Sequence, residues 1–314
     1  MAGSSKDSPR LTLQAPPRFS FRRTVWSHGW YSLAPFLCDA SGDRLDGVLA
    51  LPGGGAVSYG MRSHRGRVVV DVGRFPARWN EAEIRRVVRR AVRRVLNLDL
   101  DLSEFHGAAR ESKEMGWMAD EGMGRMLRSP SIWEDLVKLV LTTNCSWAFT
   151  TQMVQALVEI YGERTPDGAR SFPQPERLAS VGEDLLRKRV RAGYRAPHLA
   201  RLARETAAGR IDPESWEAGL QDPADLRREL LALPGVGPYV AENMLKLLGR
   251  PDGLALDSWL RAKYARVYHG GRPVTDRTIA RRYARMGEWG GLALWCEMTR
   301  DWLDDKDPLR STSE

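Results

Sequence analysis

Two hydrophobic periods divide the chain. Between Leu11 and Gly73 apolar residues come in short runs, with Leu11, Leu13, Phe19, Phe21 and Val25 followed by Val48, Leu49, Val57, Tyr59, Val68, Val69 and Val70. SGD (41–43), PGGG (52–55) and SHRG (63–66) separate these runs. Such residues favour the positive-φ turns of hairpins, so the segment predicts a small antiparallel sheet. From Asn80 the period lengthens. Ile84, Val87, Val88, Ala91, Val92, Val95 and Leu96 then fall on one stripe of a helix. The opposite stripe carries Arg85, Arg86, Arg89, Arg90, Arg93 and Arg94 and reads as a solvated face, outside any site.

Beyond about Asp101 the pattern is helical with short connections. Ser129 before Pro130 fits an N-cap with proline at the first helical position, and Ile132, Leu136, Leu139 and Val140 make the buried stripe behind it. That helix should stop near TTNCS (142–146), and the next should run from Trp147 to Tyr161. Further helices are expected at about 184–190, 195–208, 224–233, 238–248, 258–268, 276–285 and 291–303. The expected class is α+β. A tail over 1–10 precedes a sheet domain over 11–100, and a helical domain over 101–314 contains a helical hairpin at 224–248.

Composition narrows the chemistry only a little. The 314 residues carry 48 Lys and Arg against 40 Asp and Glu, a net charge of +8, and only seven of the basic residues are lysine. Arginine bias of this kind follows base composition as readily as phosphate binding, so charge alone names no partner. The charge-free stretch from Leu139 to Val158 is too polar to span a membrane, and the start lacks a signal-peptide core. Cys38, Cys145 and Cys296 form no CxxC pair, which argues against a disulfide framework or a metal cluster. An intracellular, cytoplasmic protein without structural metal is expected.

The strongest local signal is LPGVGPYVAEN (233–243). Apolar helical spacing enters it from Leu226 and leaves through Val240, Met244, Leu247 and Leu248. Glycines between two helices permit positive φ and close approach, and Pro238 suits the first turn of the second helix. The free amides of that turn then form an anion-binding nest. Taken alone, this is also a tight helical corner. Twenty residues after Gly237 stands Asp257, ahead of an apolar-periodic helix through Trp259, Leu260, Tyr264 and Val267. An aspartate there fits an N-cap, and a cap can also be a catalyst.

LPGVGPYVAENMLKLLGRPDGLALDSW resembles the signature of the helix-hairpin-helix DNA glycosylases. TTNCSW (142–147), AGYRAPH (192–198) and GGLALWCEMTRDW (290–302) are similar to further blocks of the 8-oxoguanine branch, and the sheet segment to the TATA-binding-protein-like domain of the 8-oxoguanine and 3-methyladenine branches. The resemblance implies Asp257 as the catalytic carboxylate. It implies Gly235, Val236 and Gly237 as the phosphate grip, with a Na⁺ or K⁺ on the hairpin carbonyls in some relatives. Asn144 would fill the gap left by a flipped nucleotide, and Tyr194 and Arg195 would wedge the duplex and contact the opposite strand. Tyr239, Asn243, Leu294, Met298 and Trp30 would line the base pocket.

The departures matter as much. Tyr239 stands where lyase-competent relatives carry the Schiff-base lysine, Asn243 where the 8-oxoguanine enzyme has a cysteine, and Phe149 where it has an arginine that reads the opposite cytosine. There is no four-cysteine cluster. The resemblance therefore implies a monofunctional DNA glycosylase acting as a bacterial, nucleoid-associated monomer on double-stranded DNA, with no cofactor needed for catalysis and a damaged purine as substrate in base excision repair. Bulky hypermodified bases of phage DNA, removed as antiphage defence, are an alternative substrate. Two further alternatives are lyase chemistry through Lys246 and a non-catalytic DNA-binding protein that keeps the hairpin.

Overall fold

A computed structural model describes residues 9–218, 221–250 and 253–304. Five strands, β1 (Arg10–Gln14), β2 (Leu37–Cys38), β3 (Arg44–Ala50), β4 (Ala56–His64) and β5 (Arg67–Val72), form one antiparallel sheet in the order β1-β5-β4-β3-β2. The three turn sequences lie where expected, at the β2–β3, β3–β4 and β4–β5 connections. Two details differ from the expectation. The first strand already opens at Arg10, while residues 1–8 of the expected tail lie outside the described residues. Phe21 and Val25 belong to a short helix, α1 (Phe21–Val25), in place of a strand. Ser20 starts it by accepting the Arg23 amide, and Phe21, Thr24 and Val25 fall on its buried side.

Helix α2 (Glu81–Val95) begins with a capping box between Asn80 and Glu83. Its apolar stripe is buried apart from a partly covered Val87. Arg94 corrects the reading of its basic face, being 8% exposed and bonded to Asp135 and Glu217. The helical part follows as α3 (Ser103–Arg110), α4 (Gly116–Asp120), α5 (Ile132–Thr142), α6 (Trp147–Tyr161), α7 (Pro175–Ala179), α8 (Glu183–Arg189) and α9 (Ala196–Ala207). It continues through α10 (Pro223–Leu231), α11 (Pro238–Leu247), α12 (Ser258–His269), α13 (Asp276–Tyr283), α14 (Gly290–Met298) and α15 (Asp301–Asp304). The class is α+β, with the buried side chains of sheet and helices in one continuous cluster.

The cap of α5 is Ser131, whose hydroxyl accepts the Glu134 amide, and not Ser129. Ser129 is drawn inside, its amide donating to Asp135 and its hydroxyl accepting from Lys138. The α5 surface from Ile132 to Leu141 is buried on every side, including Glu134 and Lys138, which pair at 2.6 Å. A helix buried all round is a frame for what surrounds it. The cavity described next lies along α5, α6 and α11.

Candidate active site

Asp257 is where an aromatic cavity and a groove meet. The cavity, about 310 Å³, is walled by His28, Trp30, Tyr31, Trp147, Trp259, Trp295 and Trp302, with Asn243 and Thr150 among its few polar residues. The groove runs past Asn144, Tyr194, Arg195 and His198 to Gly235, Gly237 and Pro238. Thr142, Cys145, Tyr239, Asp257 and Trp259 border both spaces.

Two contacts fix the loop that delivers Asp257. The Ala255 amide donates to Glu242 of α11, which also pairs with Arg227 of α10 at 2.6 Å. From the other side α14 brings Gly291 against the loop, where a Cβ would lie 2.0 Å from the Gly253 carbonyl oxygen. Only a residue without a side chain allows that approach. Asp257 then caps α12, one carboxylate oxygen accepting the Leu260 amide at 2.7 Å. The other oxygen takes no hydrogen bond from a described residue. Cap and candidate catalyst are the same residue.

The hairpin is α10, a turn and α11. Gly235 sits at φ +77, and a Cβ there would lie 2.8 Å from that of His198. Val236 is buried, so its side chain anchors the turn while the backbone faces out. The Gly235 and Gly237 amides donate to no described residue, and Pro238 opens α11 at the first position. Those donors, with the first-turn amides of α11, make a nest for an anion at the groove's end.

At the other end, Asn144 lies in the left-handed region at φ +47, exposed at the α5–α6 corner, and its amide donates to the Tyr194 hydroxyl at 3.1 Å. Tyr194 is half exposed. Arg195 borders the groove, but it is buried and its guanidinium is committed to Thr143, with the Tyr194 ring 4.5 Å from its centre. It holds the Thr143–Asn144 corner and the Tyr194 ring in place.

Inside the cavity the wall donors are turned into the protein. Trp30 Nε1 donates to Asp135 at 2.8 Å, Trp295 Nε1 to the Ser27 carbonyl at 2.8 Å, and Trp147 Nε1 to Ser32 at 3.3 Å. Asn243 gives a hydrogen to the Tyr239 carbonyl, and Thr142 gives its own to Leu139. His28 sits 2.7 Å from the Leu127 carbonyl, which makes Nε2 the protonated nitrogen, and burial lowers its pKa to about 4. Burial and then the Asp257 charge raise the Tyr239 phenol to about 12. The Trp30, Trp147 and Trp295 rings therefore offer a ligand π surface and not their N–H groups.

Of the residues expected in the pocket, Trp30, Tyr239 and Asn243 line this cavity, but Leu294 and Met298 do not. Both are fully buried in the core. The reason is helical phase. One position further along, about 100° round α14, Trp295 presents its ring and is joined by Trp302. Residues missed by the sequence reading include His28, Tyr31, Trp147, Trp259, Trp295 and Trp302. Eleven tryptophans in the chain were the available signal.

No family model matches the chain. A protein of Methanothermobacter thermautotrophicus named "Probable N-glycosylase/DNA lyase" is 26% identical over 253 residues, 70% of this chain and 78% of that protein. Among solved structures, the 3-methyladenine DNA glycosylase of Archaeoglobus fulgidus superposes with a TM-score of 0.68 at 19% identity, over 92% of this chain and 97% of its own. The 8-oxoguanine glycosylase/lyase of Clostridium acetobutylicum gives 0.68 at 19%, over 93% and 96%. Over nearly its whole length the chain therefore has the fold of these two glycosylases, and its sequence is similar to that of a protein named as an N-glycosylase/DNA lyase.

Proposed function

We propose that this protein is a monofunctional DNA glycosylase. It turns a damaged purine out of duplex DNA into the aromatic cavity and hydrolyses its N-glycosidic bond, leaving an abasic site. The observation that carries the reading is the free carboxylate oxygen of Asp257 at the border of cavity and groove.

Breaking the bond builds positive charge on the sugar, and a fixed anion beside it lowers the barrier without reorganising. A phosphate seated on the Gly235 and Gly237 amides would hold the strand so that the sugar lies by Asp257. Stacking on Trp30 and its neighbours offsets the few kcal/mol that extrusion costs. Asn144 and Tyr194, which border the groove and are bonded to each other, would enter the vacated stack. The Pro234, Gly235 and Val236 carbonyls accept no hydrogen bond from described residues, so they fit a Na⁺ or K⁺, which would assist phosphate binding only.

Lyase chemistry needs an amine at the sugar. Among the described residues no lysine borders the cavity or the groove, and Tyr239 cannot form an imine. These facts support simple hydrolysis, as the committed wall donors support recognition by shape and stacking. The test is a panel of duplexes carrying single oxidised, alkylated or deaminated purines, with strand breakage compared before and after hot alkali. Release of a base with breakage only after alkali is the expected result. Breakage without alkali would overturn the monofunctional reading, and no release from any duplex would favour a non-catalytic DNA-binding protein.

A further inference from the structure

Lys246 is a buried charge that the mechanism above leaves unused. It follows Tyr239 and Asn243 on one face of α11, at the i, i+4 and i+7 positions, and is 3% exposed. Its ammonium has no hydrogen-bond partner. It lies 5.0 Å from the centre of the Trp295 ring, and Trp295 is a cavity wall. An unpaired buried ammonium is costly and calls for a compensating partner.

The groups packed around it do not neutralise it. Cys296 on α14 is a thiol whose pKa burial pushes to about 12, and His28 is held neutral. Glu242, on the same helix, is tied to Arg227 and the Ala255 amide. Asp257, which borders the cavity, acts on the ammonium through space but makes no ion pair with it, and one of its oxygens is on the Leu260 amide. Among the described residues no lysine or arginine lines the cavity itself.

Resting on the glycosylase reading, we infer that Lys246 is a positioning charge for the departing base, acting through Trp295 to favour bases that leave as anions over bases that are already cationic. When the C1′–N bond of a neutral base breaks, the electron pair stays on the base nitrogen. That nitrogen takes a proton from water while a second water adds to C1′ and loses its proton to solvent. Negative charge thus grows on the base, which Lys246 favours through Trp295, as positive charge grows on the sugar, which Asp257 favours. A cationic alkylated purine leaves as a neutral molecule, so for it Lys246 opposes binding by about as much as it eases departure, and the net gain goes to neutral bases. With a base stacked on Trp295 the two charges are at most about 10 Å apart, which at an effective dielectric of about 20 corresponds to roughly tenfold.

Burial, the largest effect on this amine, lowers its pKa to about 8. The preference should therefore hold below pH 8 and fade above it. In the intact protein, tryptophan fluorescence can follow binding of 9-methyladenine and of 7,9-dimethyladeninium, a cation of the same ring system with no ring N–H to lose, from pH 6.5 to 9.5. The neutral purine should bind three- to tenfold better at pH 7, with the gap closing through pH 8 and absent in Lys246→Met at every pH. Single-turnover excision of a neutral lesion should lose the same factor above pH 8 in the wild type and show no such limb in the variant. Equal affinities in wild type and Lys246→Met at pH 7, or a pH limb that survives the substitution, would overturn the role of Lys246 alone. Failure of either purine to quench would instead sink the cavity as a base site, whatever the lysine does.

Discussion

The two spaces on either side of Asp257 are built on opposite principles. In the cavity, three indole donors are bonded into the protein behind the wall, so that Trp30, Trp147 and Trp295 present faces and not N–H groups. In the groove, donors are left open, above all the Gly235 and Gly237 amides. A surface of committed donors recognises flat apolar shape, because it offers no directional partner for which a ligand would give up water. A surface of free backbone amides recognises phosphate and is blind to sequence. One side can thus judge the base while the other holds any strand.

The largest effect should come at the junction. Asp257→Asn keeps an oxygen to accept the Leu260 amide, so the cap survives while the charge is lost. Base release should fall by at least about 1000-fold, with duplex affinity changed only a few-fold, because the charge acts on the transition state. Single-turnover kinetics beside a binding titration would show it. Comparable turnover in the mutant would remove Asp257 from the chemistry.

On the groove side, Gly237→Glu puts a carboxylate into the nest without a steric conflict, since a Cβ there meets nothing within 4 Å. Affinity for every duplex should drop by roughly 10- to 100-fold, whatever base it carries, and the salt dependence should flatten. Gly235→Ala acts differently. It strains a residue at φ +77 and crowds His198, so it should also lower thermal stability, by roughly 1–2 kcal/mol. Unchanged binding at low salt in both variants would leave the hairpin a structural corner.

This contrast was only half legible in the sequence. The groove could be read because its parts are local: Gly235, Gly237 and Pro238 occupy one turn, and Asp257 caps the next helix but one. The α6 span from Trp147 to Tyr161 matched for the same reason, since local periodicity dictates it. The cavity could not be read that way. Its wall combines Trp30 between β1 and β2, Trp147 at the start of α6 and Trp295 on α14, and only tertiary packing decides which face of α14 turns inward. Hence Leu294 missed Trp295 by one position, and Met298, four residues on, falls on the same buried face as Leu294. Arg94 misled likewise, because nothing near it in sequence announces Asp135 or Glu217.

A milder change tests the cavity on its own terms. Trp30→Phe keeps an aromatic face but loses the bond to Asp135, which remains paired with Arg94 and the Ser129 amide. The concentration for half-maximal rate should rise about 2- to 10-fold, the range expected for weakened stacking, while the saturated rate stays within about twofold. Trp30→Ala is less informative, since removing so large a buried ring costs about 3–5 kcal/mol by itself. An equal loss of binding for intact, lesion-free duplex would place Trp30 in strand binding and erase the division between the two spaces.

The smallest expected effect is none at all. A lyase traps the sugar as an imine, and borohydride present during turnover would reduce that imine to a stable protein–DNA adduct. Lys138 is sealed against Glu134, Lys263 pairs with Asp301, and Lys246 lies behind the cavity wall over Trp295. Along α11, Lys246 is also seven residues from Tyr239, roughly 10 Å at 1.5 Å per residue, more than a side-chain rotation recovers. Neither cavity nor groove therefore offers an amine from a described lysine, and no adduct should form above the background of Asp257→Asn. A strong adduct lost in Lys246→Met would mean that the cavity opens far enough for the lysine to reach C1′. One that survives Lys246→Met but disappears on acetylating the N-terminal amine would assign the attack to the α-amine. Either result would show that the two spaces are less separate than their hydrogen bonds imply.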